Sequence, residues 1–168
     1  MSLAGESGPI DGSRLCLACG LCCQGLLHGW ARLRDGEAEA ARRLGLRPVE
    51  QGDAGFALPC PCHRDGRCTV YAERLSPCRE YRCKLLRGYL AGEVGWAEGL
   101  RRVEQAKRLV AAIRGRIGAA EAEAGIWQQL RALGSGTDPD VRMDAAALLA
   151  HCQRHFWTGK EPKRTMGP

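Results

Sequence analysis

Cys16-Leu17-Ala18-Cys19-Gly20-Leu21-Cys22-Cys23 places four thiols within eight residues. C-x2-C-x2-C spacing lets a turning backbone aim successive sulfurs at one thiophilic centre, an iron–sulfur cluster or Zn²⁺. Zinc sites more often use two separated C-x2-C pairs, so this run leans towards iron–sulfur. Gly20 and Gly25 permit tight turns and a close approach of backbone N–H groups to sulfur. Adjacent Cys22 and Cys23 point in different directions in helix or strand alike. If the run is helical, Cys16, Cys19 and Cys23 share a face and Cys22 does not.

Outward from this run, five more cysteines follow at Cys60, Cys62, Cys68, Cys78 and Cys83, and the tenth, Cys152, stands alone. The compartment decides what they do. Residues 1–9 show no basic start followed by an apolar run, and no stretch approaches the roughly 18 apolar residues of a membrane span. The expectation is a cytoplasmic protein without a membrane segment. Its thiols are reduced, so the clustered ones ligate metal rather than pair as disulfides. With 168 residues and an aromatic fraction of 5%, a large aromatic core is excluded. Metal binding is therefore expected to couple to folding of the cysteine-rich half.

The formal net charge of +6 is unevenly placed. Residues 60–90 hold seven basic and three acidic side chains, a net of +4, together with five of the cysteines. Arginines there either compensate anionic metal thiolates and lower their pKa or form a solvated basic face. The aromatic residues of this segment are Tyr71, Tyr81 and Tyr89 alone, so a nucleic-acid partner is not expected.

The second half has a helical period. Trp96, Leu100, Val103, Ala106, Val110, Ile113 and Ile117 make one apolar stripe on a long amphipathic helix. A second helix is expected over residues 119–133, anchored by Ile126, Trp127, Leu130 and Leu133. A third opens at Asp138-Pro139, with Val141, Ala145, Leu148, Cys152 and Phe156 on one face and Gly159 at its end. In the first half, a short helix is expected over residues 36–44, flanked by extended pieces near 30–33 and 55–58. Ser76-Pro77 reads as N-cap and first turn of a helix that runs through Leu85, Leu86 and Tyr89 to about Ala91. In one continuous helix Cys78 and Cys83 would lie about 140° apart, so they share a metal only if the helix is distorted between them. The fold class is thus mainly α, with an irregular metal-stapled N-terminal half, little β, and a C-terminal helical bundle or helical cover. The expected division is a tail over 1–13, a cysteine module over 14–92, a helical region over 93–159 and a tail over 160–168.

Cys16-x2-Cys19-x2-Cys22-Cys23, then Cys60, Cys68-Thr69-Val70-Tyr71, Arg74, Cys78-Arg79 and Cys83, resemble the CxxCxxCC family of small bacterial cysteine-cluster proteins, also called YkgJ-like. That family is described as chelating zinc or iron. The resemblance covers about residues 14–90. It implies a metal module ligated by Cys16, Cys19, Cys22, Cys23, Cys60, Cys68, Cys78 and Cys83, with Tyr71, Arg74 and Arg79 as donors around the sulfurs. It also implies relatedness to the cysteine-rich part of flagellin lysine methylases. The family's Arg-Pro after the Tyr is here Arg74-Leu75, with Pro77 two residues later, and Cys62 is extra to the pattern.

Cys62 and Cys152 read as buried thiols rather than ligands. His28 and His63 flank cysteines and are candidates to replace a thiolate. His151 and His155 are spaced i, i+4 but lie far along the chain and lack a zincin pattern. No nucleophile elbow, P-loop or dinucleotide fingerprint occurs, so no catalytic residue is assigned. Three function classes follow. The first is an iron–sulfur protein in redox, sensing or maturation chemistry. The second is a structural zinc module whose helical half binds a protein partner. The third is an accessory to a modifying enzyme such as a protein methylase, as the resemblance implies.

Overall fold

A computed structural model describes residues 11–49, 54–118, 124–133 and 136–159. The chain is mainly helical, with short strands in its first half. The expected helix over 36–44 is α2 (Ala38–Arg43), and the expected extended pieces become β1 (Trp30–Arg32) and β3 (Gly55–Ala57). With β2 (Pro48–Val49) they form an antiparallel sheet in the order β1-β3-β2, in which Ala31 pairs with Phe56 and Val49 with Gly55.

Helix α1 (Gly12–Cys19) precedes this sheet and was not expected to begin so early. The Asp11 side chain caps it by accepting the Ser13 N–H, and Gly20, at φ 66°, ends it. A hairpin of β4 (His63–Arg64) and β5 (Arg67–Cys68) turns through Asp65 at φ 49° and Gly66 at φ 76°. Positive φ at both positions is what a two-residue type I′ turn requires.

The helix expected from Ser76 to about residue 91 is two helices, α3 (Ser76–Glu80) and α4 (Lys84–Leu90). The break falls at Tyr81-Arg82-Cys83, where Cys83 becomes the N-cap of α4 and its sulfur accepts the Leu86 N–H at 3.4 Å. Ser76 is inside the first turn of α3 rather than its cap. Its N–H is received at 2.7 Å by Glu37 Oε1, from far along the chain.

The long helices appear as expected. Helix α5 (Trp96–Ile117) buries Val103, Ala106, Val110 and Ile113, and α7 (Pro139–His155) buries Val141, Leu148 and Cys152. They lie along each other, and α1 and α4 pack on α5. Asp138 caps α7 with its side chain, and the helix stops at His155, short of Gly159. Helix α6 covers only Ile126–Leu133, with Leu133 exposed; residues 119–123 of the expected second helix lie outside the described residues. No helix among the described residues is long and apolar enough to cross a membrane.

Two cores result. The larger gathers Leu15, Leu21, Leu26, Leu27, Leu85 and Leu86 beneath the α5 and α7 stripes, with Trp127, Phe156 and Trp157. The smaller sits between sheet and α2 and holds Leu33, Ala41, Leu46, Phe56, Leu58, Cys62 and Leu75. Two indoles lock the loop after the first cysteines onto the helical half. Trp127 Nε1 donates to Leu26 O at 2.8 Å, and Trp157 Nε1 donates to Leu27 O at 3.1 Å. A buried indole N–H needs such an acceptor, so each hydrogen bond fixes a ring and a stretch of backbone together.

Candidate metal centre

The cysteines converge where the two cores meet. Cys16, Cys19, Cys22, Cys23, Cys60, Cys68, Cys78 and Cys83 all line one cavity of about 130 Å³, and Cys62 joins them. Leu15, Leu21, Phe56, Leu58, Leu75 and Leu85 supply apolar wall. Cys152 is outside this lining. All ten cysteines are free thiols.

Local structure explains how each arrives. Cys16 and Cys19 sit in the last turn of α1, three residues apart and hence on one face. Gly20 then reverses the chain. A Cβ there would run into the His63 ring, so the left-handed φ and the close approach of His63 both require glycine. Cys22 and Cys23 follow in a turn closed by Gln24 N–H to Gly20 O at 3.0 Å and Gly25 N–H to Cys22 O at 3.0 Å. The run is therefore not one helix, and the shared face expected for Cys16, Cys19 and Cys23 does not form. Cys22, not Cys23, packs with Cys16 and Cys19 against the larger core.

Cys23 is not among the residues packed against the larger core, and its carbonyl accepts the Cys60 N–H at 2.7 Å. Cys60 packs against the smaller core. Cys68 closes the hairpin opposite His63. Cys78 lies in α3, whose preceding residue Leu75 is buried in the smaller core. Cys83 packs against the larger core. The break between α3 and α4 thus puts Cys78 and Cys83 on different helices, and Cys83 alone of the two packs against the larger core.

Electrostatics follow the same division. Burial is the main cause that pushes the Cys19, Cys23 and Cys60 thiols up to about 12, Cys78 and Cys83 to about 11, and Cys22 well above its ordinary value. The neighbouring sulfurs add to it. Cys22 feels chiefly Cys83 and Cys19, whereas Cys23 feels chiefly Cys60, Cys68 and Cys78. Cys16 is raised by burial and partly relieved by Arg74. Burial thus disfavours the thiolate form of each of these seven.

Among the residues expected around the sulfurs, Tyr71 and Arg74 line the cavity and Arg79 does not. The Arg74 guanidinium lies over the Tyr71 ring at 3.4 Å, and its Nε donates to Tyr71 O at 2.8 Å. That stacking leaves its charge beside Cys16 and Cys78. Arg79 is exposed and acts on Glu37, the carboxylate that receives the Ser76 N–H. Glu37 is a positioning residue that the sequence reading overlooked: it ties α2 to the helix carrying Cys78.

The remaining candidates separate cleanly. His28 and His63 both line the cavity, His28 with its ring edge-on to Tyr81 at 4.5 Å. Cys62 donates its thiol to Leu44 O at 3.4 Å inside the smaller core. Cys152 is fully buried, and burial pushes its thiol up to about 12, with Cys19 the next cause. His151 and His155 meet edge-to-face at 4.7 Å outside the cavity lining, and His151 Nε2 hydrogen-bonds Arg102 O at 2.8 Å.

The donors suit a thiophilic metal in kind: soft sulfurs in excess, within apolar walls. They are not drawn into an ion-sized shell, since among the described residues no three Cys, His, Asp or Glu side chains form a group able to hold an ion. Loading would therefore pull the thiols inward and displace their protons. No family model matches this chain, and no curated protein or solved structure matches it either.

Proposed function

We propose that this is a cytoplasmic metal-thiolate protein of the CxxCxxCC kind, whose cavity carries an iron–sulfur cluster in a redox, sensing or maturation role. The observation that carries this reading is the convergence of all eight pattern cysteines on one apolar-walled cavity of about 130 Å³. That is close to the engineered cavity of about 150 Å³ that takes up benzene, so there is room for a multi-atom group rather than one bare ion. Bound there, a cluster supplies electron-transfer chemistry, with a potential set by burial and by hydrogen bonds to sulfur. The chain's own residues hold it, exclude water and, through Arg74, place a cation beside Cys16 and Cys78.

A structural zinc module is the second reading, and one observation favours it. The cysteines come from both sides of the junction between two cores, where a zinc-thiolate staple would tie the small sheet to the helical half. The protein partner of such a module would dock on the helical half.

Iron, acid-labile sulfide and zinc measured on anaerobically purified full-length protein test this proposal. Near-stoichiometric iron and sulfide are expected, with visible absorbance that dithionite bleaches. A colourless protein with stoichiometric zinc would select the second reading. Finding neither metal would overturn both.

A further inference from the structure

Eight thiols around one cavity can serve one centre with spares, or two. The geometry divides them. Cys16, Cys19, Cys22 and Cys83 all pack against the larger core beneath α5 and α7. Cys23 is hydrogen-bonded through its backbone to Cys60, which packs against the smaller core. Cys68 ends the hairpin that Cys60 leads into, and Cys78 follows Leu75 of that same core. Two structural events produce the division. Gly20 ends α1, so Cys22 and Cys23 lie in the turn beyond it, where Cys22 packs against the larger core and Cys23 O accepts the Cys60 N–H. The break at residues 81–83 then separates Cys78 from Cys83.

We propose that the eight cysteines form two four-thiolate centres, Cys16/Cys19/Cys22/Cys83 under the long helices and Cys23/Cys60/Cys68/Cys78 under the small sheet, joined by the Cys22–Cys23 peptide. Four sulfurs are a complete ligand set for Zn²⁺ or for an iron–sulfur cluster, so each set is sufficient alone. Cys62 and Cys152 fall outside both sets: one donates to Leu44 O, and the other lies outside the cavity. Arg74, stacked on Tyr71, lines the same cavity and belongs to neither set. The proposal rests on the metal-thiolate reading and extends it to the number and composition of the centres.

Co²⁺ is the probe, added anaerobically to reduced, metal-free full-length protein. The sulfur-to-cobalt charge-transfer band is expected to saturate at about two equivalents, each with a tetrahedral four-thiolate spectrum. Cys19→Ser/Cys83→Ser and Cys60→Ser/Cys78→Ser should each halve the stoichiometry. Cys62→Ser/Cys152→Ser should leave it unchanged. A second measurement needs no variant. At half-saturating Co²⁺, alkylation followed by peptide fragmentation should show protection that rises and falls together within each set. Saturation of the unsubstituted chain at one equivalent, or protection that mixes the two sets, would overturn the two-centre proposal and leave the metal-thiolate reading standing. No Co²⁺ binding, with no iron or zinc in the protein as purified, would overturn both.

Discussion

Between Asp11 and Leu90 the strands are two or three residues long and the α-helices five to eight, whereas α5 and α7 run for 22 and 17. Helices and hairpins that short are marginal without tertiary support. The smaller core offers little of it, with Phe56 its one aromatic residue. The helical half needs no comparable help, because α5 and α7 bury matching apolar stripes along their length. The difference teaches where a metal would matter. It would hold the elements that carry Cys60, Cys68 and Cys78, while α5, α6 and α7 provide the platform on which Trp127 and Trp157 anchor the first cysteine loop.

Removing metal is the strongest way to break this comparison. A structural thiolate site contributes on the order of 10 kcal/mol, more than any single side chain here. Anaerobic chelation of the loaded full-length protein should therefore erase amide exchange protection across β3, the hairpin and α3. Protection in α5 and α7 should largely persist. Hydrogen exchange read by mass spectrometry checks this, and equal loss in both halves would show one cooperative unit instead of two regions.

Phe156→Ala probes the other region. Phe156 is fully buried where α7 ends, and its carbonyl accepts the Lys84 N–H at 2.8 Å, next to Cys83. The truncation should cost about 3–5 kcal/mol through lost transfer energy and a cavity. Urea unfolding of the loaded protein should report that loss while the metal content per folded chain stays unchanged. A variant that keeps its stability but loses metal would reverse the roles assigned to the two regions.

How far each region was legible follows from how local its determinants are. The α5 stripe, the Asp138-Pro139 start of α7 and the α2 segment depend on residues three or four apart, and all were readable. The two-helix break at Tyr81-Arg82-Cys83 was not, because no Gly or Pro marks it and the cap is a cysteine whose sulfur takes the Leu86 N–H. Asp65-Gly66 was a usable turn signal, but its strands of two residues left no alternation to read. The Glu37 cap on Ser76 and the two indole anchors span 39, 101 and 130 residues. At the candidate site, the cysteines themselves were legible from type and spacing. Their division was not, since it depends on where α1 stops and where α3 separates from α4.

The smallest effect sharpens the comparison from within the helical half. Arg116 of α5 reaches Asp140 and Asp144 of α7, each at 3.1 Å, an ion-pair link between the two long helices that offers itself as a fastening. Its side chain is 47% exposed, and those of Asp140 and Asp144 are 61% and 26% exposed, so solvent screens most of the attraction. The apolar alternative is Val103, Ala106, Val110 and Ile113 facing Val141, Leu148 and Cys152, all nearly inaccessible to water. Arg116→Ala should therefore lower stability by about 0.2–1 kcal/mol, and raising the salt concentration should shrink that difference further. A loss comparable to that of Phe156→Ala, measured by the same urea titration at low and high salt, would mean that charge rather than packing holds α5 to α7. The contrast between a region held by side-chain burial and one that waits on its thiols would then need redrawing.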